Sequence, residues 1–284
     1  LMKDMDKAVS RLIKAMSLKE QIRVYGDYDV DGTASVSMMY LFLKSQNANC
    51  DYYIPDRDSE GYGISYKGID GAIDKGISLM ICLDCGIKAV EKVAYAKSKG
   101  LDLIICDHHR PGSLLPDAIA VLDPKRVDCN YPFKELCGCG VGFKLIQAYL
   151  KHQRLDGKIA FQYLDMVAVA IGADIVPIVD ENRVLAFYGL KYLNENPRKG
   201  MKVLMREHKH FGEMNITDIV FTIAPRINAA GRMKHAHNAV SLLIEQNEEK
   251  AIKIANEIEE YNTERRSEDQ RIVKEALVQI KEQK

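Results

Sequence analysis

A chain of 284 residues with 47% hydrophobic content can bury a sizeable core as one large domain or two small ones, which excludes a disordered polymer. Forty basic residues balance forty acidic ones, so there is no overall basic footprint and any polyanion would have to be bound locally. Seven cysteines, no secretory leader and no apolar run approaching about eighteen residues point to a reduced, cytoplasmic protein with neither disulfides nor membrane spans.

In chain order, short β-branched apolar runs at 22–25, 50–54, 79–83, 101–106 and 118–122 predict strands, and each of the first four lies near a helical pattern. That alternation predicts an α/β fold, a mostly parallel sheet flanked by helices, over about 1–137. From about Gly138 the strand signal disappears and helical patterns follow at 142–151, 159–171, 183–194 and 216–223, so 138–237 reads as the helical part of the same catalytic domain. The last stretch, 238–284, has no proline and sets Ile252, Ala255, Ile258, Tyr261, Ile272, Ala276 and Ile280 on one stripe. It predicts a long C-terminal connector helix leading toward a second domain. The chain opens in mid-helix style and closes inside a charged helical pattern, as a piece of something longer would.

Carboxylates cluster where strands end. Asp27, Asp29 and Asp31 crowd the exit of the first strand, Asp84 follows the third, and Asp107-His108-His109 follows the fourth. Open α/β sheets bind ligands at that edge. Read alone, Asp31 is an N-cap assisted by Thr33. Several unpaired carboxylates at one edge, however, would be costly without positive charge, which divalent cations supply. Neutral imidazole ligates first-row metals when a carboxylate fixes its tautomer. His108 is therefore read as a ligand, His109 as a contact to a substrate oxygen, and Asp107 as the group that orients or supplements them. Oxygen-rich ligation with one imidazole suits Mn²⁺ or Mg²⁺ better than structural zinc.

Weaker signals are set aside. Cys82-x-x-Cys85 with Cys137-Gly138-Cys139 permits a zinc site, but Cys82 lies in an apolar strand where thiols are commonly buried. Gly138-x-Gly140-x-Gly142 hints at a phosphate loop without the full spacing of one. His208, His210, His235 and His237 sit in polar surroundings and read as surface histidines.

Asp29-x-Asp31, Asp84, Asp107-His108-His109, and Asp174 in Gly172-Ala173-Asp174-Ile175-Val176-Pro177 have the order and spacing of the DHH phosphoesterase superfamily, which the chain resembles. Within it, the segments Tyr25–Thr33, Gly138–Lys144 and Pro225–Met233 are similar to the RecJ branch of single-strand-specific exonucleases. The resemblance implies that Asp29, Asp31, Asp84, His108 and Asp174 hold two metal ions, with Asp84 bridging and Asp27 beside them. It also implies that Arg226, Asn228 and Arg232 lie near a substrate phosphate. It implies direct 5′-to-3′ hydrolysis of single-stranded DNA in recombination and repair, with a single-strand-binding protein and a helicase as partners. RecJ proteins continue into a second domain that is not in these residues, so weak activity of the isolated chain is expected. Two other readings stay open: a phosphodiesterase or pyrophosphatase acting on short oligonucleotides or cyclic dinucleotides, and a non-catalytic nucleic-acid-binding scaffold.

Overall fold

Strand alternation accounts for the layering. The computed structural model describes residues 1–206, 212–232 and 236–282, and all five apolar runs are strands: β1 (Gln21–Gly26), β2 (Cys50–Tyr53), β3 (Ile77–Leu83), β4 (Asp102–Cys106) and β5 (Ala120–Leu122). They form one parallel sheet in the order β2-β1-β3-β4-β5. Successive side chains point to opposite faces, so Ile22, Val24, Leu79, Ile81, Leu83 and Ile104 enter one core. Tyr25, Met80, Cys82, Leu103 and Ile105 enter another. Because both faces are covered, the strands read as unbroken apolar runs.

The accompanying helices are α1 (Met5–Ser17), α2 (Val30–Ser45), a single-turn α3 (Arg57–Glu60), α4 (Tyr66–Ile73), α5 (Val90–Ser98), α6 (Gly138–His152) and α7 (Leu164–Ala173). Helices α1, α2, α6 and α7 fill the first core, and α4 and α5 cover the opposite face. Twelve residues of α2, from Val30 to Leu43, are buried. It is therefore enclosed between the sheet, α6 and α7, with no solvent face to give it amphipathic periodicity.

The helical part continues with α8 (Asp180–Glu195), α9 (Lys199–Arg206), α10 (Ile216–Asp218), α11 (Ala224–Arg232), α12 (Ala236–Ile244) and α13 (Glu248–Glu282). Its own core, built on Leu193, Met201, Leu204, Ile223, Ile227 and Leu242, reaches Val30 and Val169, so it packs directly on α2 and α7. A π turn at Ile219–Ile223 joins α10 to α11. Pro225 lacks an N–H and its ring would crowd the carbonyl four residues earlier, at Phe221; a widened turn there accommodates it. This is why Pro225-Arg226-Ile227-Asn228, which carries no helical signal of its own, is helical.

The single helix expected over 238–284 is two. It breaks at residues 245–247, where the Glu245 carboxylate accepts from the N–H groups of Gln246 and Asn247, and Asn247 accepts from the N–H of Lys250. Asn247 followed by Glu248 and Glu249 is a helix start that breaks the stripe. Helix α13 buries Ala251, Ala255, Ile258 and Asn262, while Ile272, Val273, Leu277 and Ile280 are exposed. Among the described residues no helix is long and apolar enough to cross a membrane.

Candidate metal centre

Each candidate ligand is set by the end of an element. Asp29 caps α2, its Oδ1 accepting from the Gly32 N–H at 2.9 Å. Asp31, in the first turn of α2, is buried and takes two N–H groups from the start of α6: Gly138 at 2.6 Å and Cys139 at 2.7 Å. The glycine-rich segment thus cradles an anion, but the anion is a protein carboxylate. A Cβ on Gly138 would stand 2.6 Å from the Asp84 Cβ, so α6 can approach the site this closely only with glycine there.

Asp84 leaves β3 with φ +59°, a left-handed conformation that aspartate tolerates, while its N–H still donates to the Cys106 carbonyl at 2.8 Å. Asp107 follows β4 and accepts from the N–H groups of Ile87, His108 and His109 and from the His109 Nδ1, the last at 2.7 Å. Asp174 is the C-cap of α7.

These groups converge on one imidazole. His108 Nε2 lies 3.1 Å from Asp84 Oδ1, 3.6 Å from Asp174 Oδ2 and 3.7 Å from Asp31 Oδ2. Among the described residues neither His108 Nε2 nor Asp84 Oδ1 has a hydrogen-bond partner, and Asp27 Oδ1 also has none. The Leu136 carbonyl lies beside the His108 ring but short of hydrogen-bond geometry at Nδ1. Buried polar atoms are rarely left so. Asp31, His108 and Asp174 form one possible ligand group and Asp84, His108 and His109 another, sharing His108. Asp27 and Asp29 line the adjoining cleft.

Electrostatics point the same way. Burial and then the neighbouring carboxylates, Asp31 first, push Asp84 well above the ordinary carboxylate range. Burial with Asp174 and Asp29 raises Asp31 to about 8, burial with Asp29 raises Asp27 to about 7, and burial with Asp29 raises Asp174 to about 6. Burial and the adjacent His109 depress His108 to about 4, so its ring is neutral and available as a donor. Burial alone would raise Asp107, yet its bonds from His109 and Ile87 hold it below the usual value, and the same bond raises His109. Hard oxygen donors converging on a neutral imidazole, with no lysine or arginine paired to them among the described residues, fit divalent ions.

The cleft encloses about 280 Å³ between Asp27, Tyr28, Asp29, Asp31, Arg57, Tyr62, Asp174 and Asn228. Of the three expected phosphate contacts, Asn228 lines it. Arg226, two positions away and so about 200° round the helix, faces α13, where its Nε donates to Glu259 at 2.6 Å and its Nη1 to the Thr222 carbonyl at 2.7 Å. The Arg232 side chain lies outside the described residues, as do His208, His210 and His235. His237 stacks on Tyr52 with ring centres 4.7 Å apart. Among the described residues no cysteine enters a candidate metal group, and all seven thiols are free and buried.

Four residues of this region escaped the sequence reading. Arg57 lies over the Tyr28 ring at 5.4 Å, Tyr28 meets Tyr62 edge to face, and the Tyr62 hydroxyl is 3.2 Å from His109 Nε2. Arg57 opens the single-turn α3 and Tyr62 follows it, in sequence that carries no chemical signature, and Tyr28, between Asp27 and Asp29, is not itself a ligand type. Asp123, buried just past β5 and raised to about 7 by its burial, had the signal used elsewhere, a carboxylate ending a strand.

Comparison with known proteins gives the family and the fold. The model of the DHH family, N-terminal domain, matches residues 21–171. The single-stranded-DNA-specific exonuclease RecJ of Bacillus subtilis is 42% identical over 99% of the chain, and that of Escherichia coli 36% identical over 96%. The chain spans 35% and 49% of the length of these two relatives. A crystal structure of exonuclease RecJ bound to manganese superposes with a TM-score of 0.89 at 29% identity, covering 98% of this chain and 70% of that one. RecJ from Thermus thermophilus in complex with Mn²⁺ does so at 0.86 and 27%, covering 98% and 40%. Sequence motifs, sheet order and family match coincide, and the chain belongs to the DHH family.

Proposed function

We propose that this chain carries the catalytic centre of a metal-dependent phosphodiester hydrolase, a 5′-to-3′ exonuclease on single-stranded DNA that uses two Mn²⁺ or Mg²⁺ ions. The observation that carries the reading is the convergence of Asp31, Asp84 and Asp174 on His108 Nε2, with no lysine or arginine paired to these three carboxylates among the described residues. Asp29, Asp31, Asp84, His108 and Asp174 would hold the ions, with Asp27 alongside. A bound pair of cations supplies the charge that lowers the pKa of an attacking water and offsets charge on the phosphoryl oxygens. The chain's own groups do the rest. The N–H groups of Gly138 and Cys139 fix Asp31 in one orientation. Asp107 holds the His109 ring so that Nε2, next to Tyr62, faces substrate and can donate to a phosphoryl or leaving oxygen. Asn228 offers an amide to the same phosphate, and Arg232 is proposed there too. No serine or cysteine stands in a nucleophile and base pair with His109 among the described residues, so direct hydrolysis is favoured over a covalent route.

Work on single strands in recombination and repair, a single-strand-binding protein and a helicase as partners, and a cytoplasmic location belong to the same proposal. The test is digestion of end-labelled single-stranded DNA, duplex DNA and a dinucleotide with Mn²⁺. Release of mononucleotides from the 5′ end of single strands is expected. Preference for the dinucleotide would replace the exonuclease with a small-substrate phosphodiesterase, and no cleavage with metal present would leave a binding scaffold.

A further inference from the structure

The loop that carries Asp174 and the loop that precedes α6 are far apart in sequence, yet one side chain holds both. Asn182, in the first turn of α8, has 0% exposure. Its Nδ2 donates to the Glu135 carbonyl at 2.6 Å and to the Pro177 carbonyl at 3.0 Å. Its Oδ1 has no partner among the described residues. Two facing carbonyls require the NH₂ end of the amide, so the orientation is forced even though Oδ1 goes unsatisfied.

Both anchored carbonyls lie three residues along the chain from a residue of the centre. Pro177 lies three residues after Asp174. Glu135 lies three residues before Gly138, whose N–H holds Asp31, and Leu136, between them, sits beside the His108 ring. Between Asp174 and Pro177 the backbone is strained: Ile175 has φ +55°, a region that β-branched residues rarely adopt. Its side chain is 79% exposed, so its own packing does not hold it there. Such a conformation persists when its flanks determine it. One flank is α7, and the other is Val176 against the main core with Pro177 bonded to Asn182. Among the described residues no hydrogen bond orients the Asp174 carboxylate itself, so its place depends on this backbone.

We infer that Asn182 is a positioning residue for the metal centre, tying the Asp174 loop to the loop that orients Asp31 so that the two carboxylates stay opposed across His108. The inference rests on the proposal that the cluster binds divalent cations.

The test is Mn²⁺ binding by this chain, read from the electron paramagnetic resonance signal of free Mn²⁺, a measurement independent of turnover. Asn182→Leu keeps the volume and removes both donors, and Asn182→Ser keeps one donor in a smaller side chain. Leu193→Ala, a core truncation on the same helix, controls for lost stability. Asn182→Leu is expected to weaken Mn²⁺ binding about 10- to 100-fold, with Asn182→Ser between it and the wild type, and Leu193→Ala close to the wild type. Should Asn182→Leu not fold, Asn182→Ser carries the comparison. Wild-type affinity in a folded Asn182 variant would overturn the inference, as would an equal loss in Leu193→Ala. A wild-type chain that binds no Mn²⁺ would instead overturn the metal reading, and this one with it.

Discussion

Asp84 concentrates the conflict between stability and function at a single residue. The residue is 1% exposed, its Oδ1 has no partner among the described residues, and burial with the Asp31 charge disfavours ionisation. A group held at such expense in the metal-free protein has to be compensated by a ligand. Asp84→Asn keeps the shape and suits the left-handed backbone, since asparagine also tolerates positive φ. At pH 8 it is expected to stabilise the metal-free protein by about 1 kcal/mol, at the low end of what an unsatisfied buried polar group costs. It is also expected to lower turnover by more than about 100-fold, beyond the usual effect of a group that merely supports a ligand. Thermal melts without metal and kcat with Mn²⁺ check both halves. Retained turnover would remove Asp84 from the ligand set.

Legibility at this scale followed the source of the signal. Asp29, Asp31, Asp84, Asp107 and His108 stood out because a carboxylate or imidazole directly after a buried strand is conspicuous in sequence, whereas Asp174 was reached only through the resemblance of its motif to the DHH superfamily. Asn182, Arg57 and Tyr62 act through contacts that only the folded chain creates, and Tyr28, though it stands between Asp27 and Asp29, has a ring whose partners Arg57 and Tyr62 are likewise set only by the fold. Arg226 shows the reverse case: the spacing Arg226-x-Asn228 sets two polar groups on opposite sides of a helix, but that geometry counts only once the segment is known to be helical.

At the scale of elements, the start of α6 fixes how closely the Asp31 and Asp84 segments of the proposed metal centre approach. Gly138→Ala would place a Cβ 2.6 Å from the Asp84 Cβ and 2.8 Å from its Cα, atoms that cannot swing away. A cost of about 1–3 kcal/mol follows from overpacking, with loss of metal binding as Asp31 and Asp84 separate. Gly140→Ala, two residues on, would meet the Leu136 Cδ2 at 3.3 Å, a methyl that can give, and should cost less than about 1 kcal/mol. Denaturant unfolding and Mn²⁺ titration of the two variants check this, and equal effects would contradict it. Strands were legible because burial on both faces leaves continuous apolar runs of Val, Ile and Leu. The π turn at Ile219–Ile223 and the break at residues 245–247 were not. The first answers a proline whose crowded partner is four residues back, and the second depends on local side-chain to backbone bonds that compete with helix.

At the scale of the whole molecule, the sheet edge gathers more negative charge than a chain of zero formal net charge suggests. Asp31, Asp27 and Asp174 rise to about 8, 7 and 6, from an ordinary aspartate value of about 3.9. A carboxyl raised in the folded state binds more protons there than in the unfolded state. Stability therefore falls as pH climbs from about 4, where unfolded carboxyls titrate, through these folded values. The metal-free protein is expected to melt at a lower temperature at pH 8 than at pH 5, and saturating Mn²⁺ should stabilise it most at pH 8, where the carboxylates are ionised. Calorimetric melts with and without chelator measure this. A metal-free melting temperature that is flat or rises over that range would contradict it.

Anomalous diffraction from Mn²⁺-soaked crystals tests the central claim most directly, since it locates ions without reference to activity. Two peaks about 3.5–4 Å apart are predicted beside His108 Nε2, one toward Asp31 and Asp174 and one toward Asp84. No peak there, or ions bound only elsewhere, would contradict the two-metal centre and the hydrolase built on it.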